Sequence, residues 1–584
     1  MGVTLFKEVS YTLSKLIDSI EMGEIGLPEI QRPFVWPNTK VRDLFDSMYR
    51  GFPVGYLLFW ANGSGGGHRQ IGTGTKQRVP QLLIVDGQQR LTSLFAVFKG
   101  IPVVREDFRA ERIRIAFCPL TGRFEVTDAA ILRDPEFIPD ISEIWSEQSN
   151  IFELADAYIE RLRRARPVTP QEQKAIQKAI NSLDNLSSYP FTALEIASSA
   201  TEEEVADVFV RVNSKGTPLN QADFILTLMS VFWDEGRAQL ERFCRQSRTP
   251  SLTGPSPYNH YIAPSPDQLL RVGVGLGFRR ARLNYVYSIL RGKDLETEEY
   301  SDERRERQFA VLRSAQEQVL DLQNWHDFLL CLKHAGYSSQ AMISSQGALL
   351  YSYVFYLIGA RDYGVDRSVL RDVIARWFFM VSLTGRYTGS FESSVEQDLG
   401  RLRDVHSAAD FVAVLDRIIA DTFTTDYWTI TLPGELATSA ARAPSVFAYY
   451  AALNLLQARV LFSKMQVSEL LDPTVKGKRS PVERHHLFPK GYLSTLGITD
   501  IRDTNQTANY ALVEWDDNIA IRDTSPAEYY PRYATRFSAA ELDAMAYWHA
   551  LPGGWQSMSY GDFLEARRKL IAQVIRDGFA RLLN

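Results

Sequence analysis

Along the first hundred residues the spacing of apolar positions changes several times. Val41–Tyr49 repeats its apolar residues at helical spacing, whereas Tyr56–Trp60 and Gln81–Val85 are short apolar runs bounded by turn residues, as strands inside a sheet would be. The second run passes through Asp86–Gly87 into QQRLTSLFAVF, a helical pattern, so strand, tight turn and helix follow one another and a small α/β unit is expected. Asn62–Lys76, rich in Gly, Thr and Ser, breaks both periods and is expected to be a mobile surface loop; its GTGTK is left a loop as well.

From about Ile151 to Ile430 helical spacing dominates, in charged form (PQEQKAIQKAINSLDNL) and in apolar form (SVLRDVIARWFFMVSL). The longest apolar stretch, Gly347–Ala360, falls short of the ~20 residues that cross a bilayer, which predicts a buried helix. Turn and small residues in Leu432–Ser445 predict a joint before the helical VFAYYAALNLLQARVLF. After Pro481 the segments shorten, and the chain closes on an amphipathic helix, Tyr560–Leu583. The expectation is a multidomain α+β protein divided at 1–235, 236–440 and 441–584, with an α/β start, a helical middle and a mixed C-terminal part.

Composition adds bounds. The chain has 584 residues, 45% of them hydrophobic and 12% aromatic, so it can build several cores. Its net charge of −5 excludes a protein that coats nucleic acid by bulk attraction, so a polyanion has to be met by local basic patches. Cys118, Cys244 and Cys331 have no CxxC spacing, which argues against a disulfide framework or cysteine zinc site. A start without a basic segment and apolar core, MGVTLFKEVSYTLSKL, fits neither a secretory nor a transit peptide; a cytoplasmic protein with no membrane partner is expected.

Two of the eight histidines are adjacent, in VERHHLFPKGYL, and are followed by NYALVEWDDNIAI and TSPAEYY. An adjacent pair by itself is most often a surface feature. The succession His485–Pro489, Asn509–Leu512, Asn518 and Pro526–Tyr529 resembles the HNH endonucleases, and more closely their DUF1524 branch. The resemblance implies a ββα-metal fold set among helices, with His485 and Asn518 as ligands of one divalent metal. It further implies His486 as general base, and Asn509 as the residue that holds the hairpin and orients the base. The chemistry asks for these types: an imidazole with pKa near ~6.5 can take a proton from water at cellular pH, and Mg²⁺ or Mn²⁺ stabilises charge on phosphoryl oxygens. Asn in place of a final His favours Mg²⁺ over transition metals. Lys476, Lys478, Arg479, Arg484 and Lys490 form a local basic cluster suited to phosphate contact.

The second signal is QRPFVWP at Gln31–Pro37, then IVDGQQRLTSL at Ile84–Leu94. Gly87 delivers Gln88, Gln89 and Arg90 to a helix start, where free N–H groups and the dipole favour an anion. With Phe209, Arg211, Asn213, Gly216 and Leu219, these boxes resemble the DUF262 family, related to the ParB and sulfiredoxin-like fold. The resemblance implies nucleotide binding and hydrolysis. Asp86 would act on metal or water, Gly87 would allow close backbone approach, and Gln88, Gln89 and Arg90 would hold phosphates. Arg211 and Asn213 either complete that site or hold the local helix, and Gln31 and Arg32 belong either to the same pocket or to a nucleic-acid-sensing surface. GTP, ATP and CTP are not distinguished, and no GxxxxGK[ST] loop is present.

DUF262 joined to DUF1524 is the layout of GmrSD-type type IV restriction enzymes and SspE-like nucleases. It implies an NTP-regulated, metal-dependent endonuclease acting on modified phage DNA in defence, with a homodimer as one route to cutting both strands. The alternatives are a nucleotide-switched DNA-binding regulator of ParB type and an RNA-directed HNH nuclease.

Overall fold

The computed structural model describes residues 5–28, 34–61, 68–69, 81–105, 107–146, 150–200, 204–205, 208, 221–294, 297, 301–389, 391–474 and 482–583. The chain forms two compact units, Met1–Ala238 and Gln239–Asn584.

The first unit is built on a six-stranded sheet: β1 (Phe6–Thr12), β2 (Ile25–Pro28), β3 (Leu57–Ala61), β4 (His68–Arg69), β5 (Leu82–Asp86) and β10 (Pro190–Ile196), in the order β1-β10-β3-β5-β2-β4. β10 is antiparallel to β1 and parallel to β3, β5 is antiparallel to β3 and parallel to β2, and β4 is antiparallel to β2. Two small hairpins, β6 (Pro102–Val104) with β7 (Ala110–Arg112) and β8 (Ile115–Cys118) with β9 (Arg123–Val126), follow the helix Gln88–Lys99. Leu57, Phe59, Ile84 and Ala193 on one face of the sheet join one core with the helices Leu13–Glu21, Asn38–Tyr49, Gln88–Lys99, Ile151–Ala165 and Pro170–Asp184. Leu58, Trp60, Leu83 and Val85, pointing the other way, form a second cluster with Ile196 and Val205. Apolar residues on both faces explain why β3 and β5 read as continuous runs and not as alternation.

Helical spacing from Ile151 onward hides β10, which lies inside the sheet between β1 and β3. PFTALEI is seven residues long and flanked by helical sequence, so its local period carries little weight beside the pairing on both sides. Of the expected loop Asn62–Lys76, His68–Arg69 pairs with Leu27–Pro28, and the rest lies outside the described residues.

In the second unit the helices Gln346–Arg361 and Arg367–Thr384 are apolar nearly all round and buried along most of their length. Burial, not a membrane, accounts for the run at Gly347–Ala360; no helix of the described residues is long and apolar enough to cross a bilayer. The expected joint at Leu432–Ser445 follows directly on a π-helical turn, Tyr427–Thr431, and opens with a short helix, Leu432–Glu435. Residue 440 is no break in packing: the helix Pro444–Leu455 packs on both Arg367–Thr384 and the closing helix Tyr560–Ala580. The helical middle and the histidine pair therefore share one unit.

Candidate active site

β11 (Val482–His486) and β12 (Tyr510–Glu514) form an antiparallel hairpin in which His485 faces Ala511 and His486 faces Tyr510. The chain turns directly from β12 into the helix Trp515–Ile521, which packs on both strands and brings Asn518 to the hairpin. Two contacts close the long connection between the strands, and a third holds β12 to the chain ahead of β11. Leu487 N donates to Asn509 O at 2.8 Å, the buried Tyr529 hydroxyl donates to Leu487 O at 2.7 Å, and Leu461 N donates to Leu512 O at 3.1 Å.

His485 is 3% exposed, and its Nδ1 lies 2.9 Å from Asn518 Oδ1. Its other nitrogen, Nε2, is buried with no hydrogen-bond partner among the described residues. Burial pulls its pKa down to about 4, so the ring is neutral at cellular pH and keeps a lone pair. His486 is half-buried against the Tyr510 ring, at 4.5 Å between centroids, and its Nε2 lies 3.0 Å from Asn505 Oδ1. Burial lowers its pKa; the Asn505 bond opposes that shift and the Lys490 ammonium adds to it.

Asn509 is fully buried and its amide is fully engaged, accepting from Phe488 N at 2.8 Å and donating to Phe488 O at 3.0 Å and Thr504 O at 3.1 Å. It holds the hairpin loop. The asparagine hydrogen-bonded to His486 is Asn505, whereas these three side-chain bonds of Asn509 go to the backbone of the loop.

Beneath the hairpin lies a residue that the sequence did not single out. Arg567, fully buried on the closing helix, donates to Ala508 O at 2.7 Å, Tyr510 O at 2.8 Å and His549 O at 3.1 Å. Two neighbours on that helix tie down the adjoining turn: Tyr560 donates to Asp503 O at 2.7 Å and Arg568 to Gln506 Oε1 at 2.8 Å. An amphipathic helix gives no sign in sequence that its polar residues point inward.

Of the basic cluster, Lys490 is exposed at the start of a short helix, Lys490–Thr495. Arg484 is placed by its backbone in β11, while its side chain and all of Lys476, Lys478 and Arg479 lie outside the described residues. Among the described residues no three His, Cys, Asp or Glu side chains converge as a metal cluster would, so a metal here would rest on few protein ligands.

In the first unit, Gly87 caps the helix Gln88–Lys99 with φ of 96°, and a Cβ there would stand 2.4 Å from Leu57 Cδ2, so only glycine fits. Gln89 faces the chain itself: its Oε1 accepts from Val35 N at 2.9 Å and Trp36 N at 3.3 Å, joining the DGQQR box to the QRPFVWP segment. Arg90 also points inward, donating to Val54 O and Tyr56 O, both at 2.7 Å, and pairing with Asp86 at 3.3 Å. Its guanidinium stacks so close to Gly55 that a Cβ there would meet it at 2.6 Å. These are the contacts of Gln89 and Arg90 within the unit; Asp86 and Gln88 are half-exposed beside the turn. Gln31, Arg32, Arg211 and Asn213 lie outside the described residues.

Residues 13–230 match the family model described as GmrSD restriction endonuclease, N-terminal domain. The match covers five of the six strands of the sheet, all but β1, together with the DGQQR turn and the segment around Arg211. A protein of Methanocaldococcus jannaschii described as Uncharacterized protein MJ0686 is 33% identical over 100 residues, a stretch that spans 15% of this chain and 17% of that relative.

Proposed function

We propose that the chain is a divalent-metal-dependent DNA endonuclease of restriction type, cutting at an HNH-like centre formed by β11, β12 and the helix Trp515–Ile521, and regulated by nucleoside triphosphate at the first unit. The observation that carries the reading is the placement of two neutral, adjacent histidines on one hairpin, each bonded to a different asparagine. The match of residues 13–230 to a restriction endonuclease's N-terminal domain supports it from the other end of the chain.

The residues suit a metal. Asn518 Oδ1 can only accept a hydrogen bond, so the 2.9 Å contact leaves the His485 proton on Nδ1 and a lone pair on Nε2, the buried nitrogen without a hydrogen-bond partner among the described residues and the one available to a metal. His485 and Asn518 would hold Mg²⁺ or Mn²⁺, which supplies Lewis-acid stabilisation of the charge building on phosphoryl and leaving oxygens. His486 is then the base. With its Nε2 proton on Asn505, Nδ1 is the nitrogen that can take a proton from an attacking water. Lys490 offers a phosphate contact beside it. Modified phage DNA as substrate and a role in defence follow from restriction-type chemistry and belong to the same proposal.

The test is cleavage of modified and unmodified phage DNA by the purified full chain, with and without Mg²⁺ or Mn²⁺ and with each of GTP, ATP and CTP. Metal-dependent cutting abolished by chelation is expected. Absence of DNA cleavage under every condition, or cleavage of RNA alone in a parallel arm, overturns the DNA endonuclease reading.

A further inference from the structure

We infer that Asn505, outside the motif that marks the histidine pair, is the positioning residue that fixes the tautomer of His486; the inference rests on the nuclease reading above. Asn505 Oδ1 can only accept a hydrogen bond, so the 3.0 Å contact places the ring proton on Nε2 and leaves Nδ1 as the basic nitrogen. A base whose proton sits on the wrong nitrogen cannot accept another from water in the productive geometry, which is why orienting partners matter to such rings.

The local structure is built to keep Asn505 in place. Asn505 ends the short helix Ile501–Thr504, its N–H donating to Ile501 O at 3.0 Å. On one side of it, Thr504 O accepts from Asn509 Nδ2 at 3.1 Å and Asp503 O accepts from the Tyr560 hydroxyl at 2.7 Å. On the other, the Gln506 side chain donates to Arg502 O at 2.8 Å and accepts from Arg568 at 2.8 Å. The backbone around Asn505 is thus anchored by groups other than its own amide, which leaves that amide for His486. The Tyr510 ring on the paired strand packs against the same imidazole and limits its rotation.

Two readouts test this on the full chain. In cleavage kinetics, Asn505→Ala should lower kcat by roughly 10- to 100-fold with KM little changed, the size typical of lost orienting partners. Asn505→Asp, which retains an acceptor, should recover most of the rate. In the second readout, the protein is labelled with [¹⁵N]histidine and observed by NMR at pH 8, the His486 resonance being assigned through His486→Gln. The Nε2–H tautomer is expected in wild type and Asn505→Asp, and its preference should be lost in Asn505→Ala. If Asn505→Ala does not fold by thermal melting, Asn505→Ser, which retracts the acceptor, takes its place in both. An unchanged kcat in the truncated variant, a change in KM alone, or a wild-type His486 protonated on Nδ1 overturns the role of Asn505 and leaves the nuclease reading standing. A wild-type chain that cuts no nucleic acid overturns the nuclease reading, and the tautomer then decides the contact by itself.

Discussion

His485 and His486 are neighbours in sequence, yet the fold gives them different partners, on which the proposal rests their different tasks. As a base, His486 should be replaceable only at the expense of chemistry: His486→Ala is expected to slow cleavage by roughly 10²–10⁴-fold while thermal melting and DNA binding stay near wild type. Near-normal cutting by that variant would remove the assignment. Because burial lowers the His486 pKa, its neutral form persists into mildly acidic solution. The acid limb of kcat/KM against pH should therefore fall below the ~6.5 of a free imidazole. His485 and Asn518 make a different prediction: alanine at either position should raise the Mg²⁺ concentration at half-maximal rate, and unchanged metal titrations in both would place the ligands elsewhere. Much of this site was legible because its residues lie within a short stretch with recognisable spacing. Asn505 was not, since an asparagine four residues before another in DTNQTANY is what any helix end might contain. Its meaning comes only from the fold of the loop back onto the strand.

At the scale of elements, the hairpin is only as firm as what lies under it, and that is the closing helix. Arg567 has three backbone carbonyls from the chain's two preceding segments as partners and is wholly buried. Truncation would leave those carbonyls without donors, so Arg567→Ala should destabilise the second unit by on the order of 3–5 kcal/mol and be read as a lower melting temperature. A variant that melts like wild type would show that the hairpin does not depend on it. His549, 1% exposed, lies in the same network and donates to Arg459 O at 2.9 Å. Burial depresses its pKa to about 4. The unfolded chain, with an ordinary histidine, takes up this proton near ~6.5 and the folded chain only near 4, so this group costs stability progressively as pH falls between those values and nothing above them. Melting temperature should accordingly decline from pH 6.5 towards 4, less steeply in His549→Gln. Sequence periodicity located most of the helices and the strands β3 and β5, whereas β10 and the π-helical turn escaped it. The first is specified by its sheet neighbours; the second is a local irregularity of a helix, and neither leaves a period of its own.

For the whole molecule, the two ends of the chain lie on separate compact units, to which the proposal assigns different chemistry. With a net charge of −5, contact with DNA has to come from local positive groups, and affinity should fall steeply with salt if several phosphates are met. In the first unit, Gln89 and Arg90 hold the DGQQR turn to the chain, so a variant there would disturb the fold before it informed on nucleotide. Gln88, at the first turn of the same helix and half-exposed, is a further probe. If the turn binds triphosphate, Gln88→Ala should weaken NTP binding in calorimetry. Nucleotide can influence cleavage only by favouring one of two global states for which its affinities differ, and the coupling is then reciprocal. The expected pattern is that Gln88→Ala alters the nucleotide dependence of cleavage, whereas His486→Ala abolishes cleavage and leaves NTP binding and hydrolysis measurable. Wild-type protein that neither binds nor hydrolyses any NTP would reduce the first unit to a reader of DNA and remove regulation from the proposal, while metal-dependent cutting at His486 would stand or fall by its own assay.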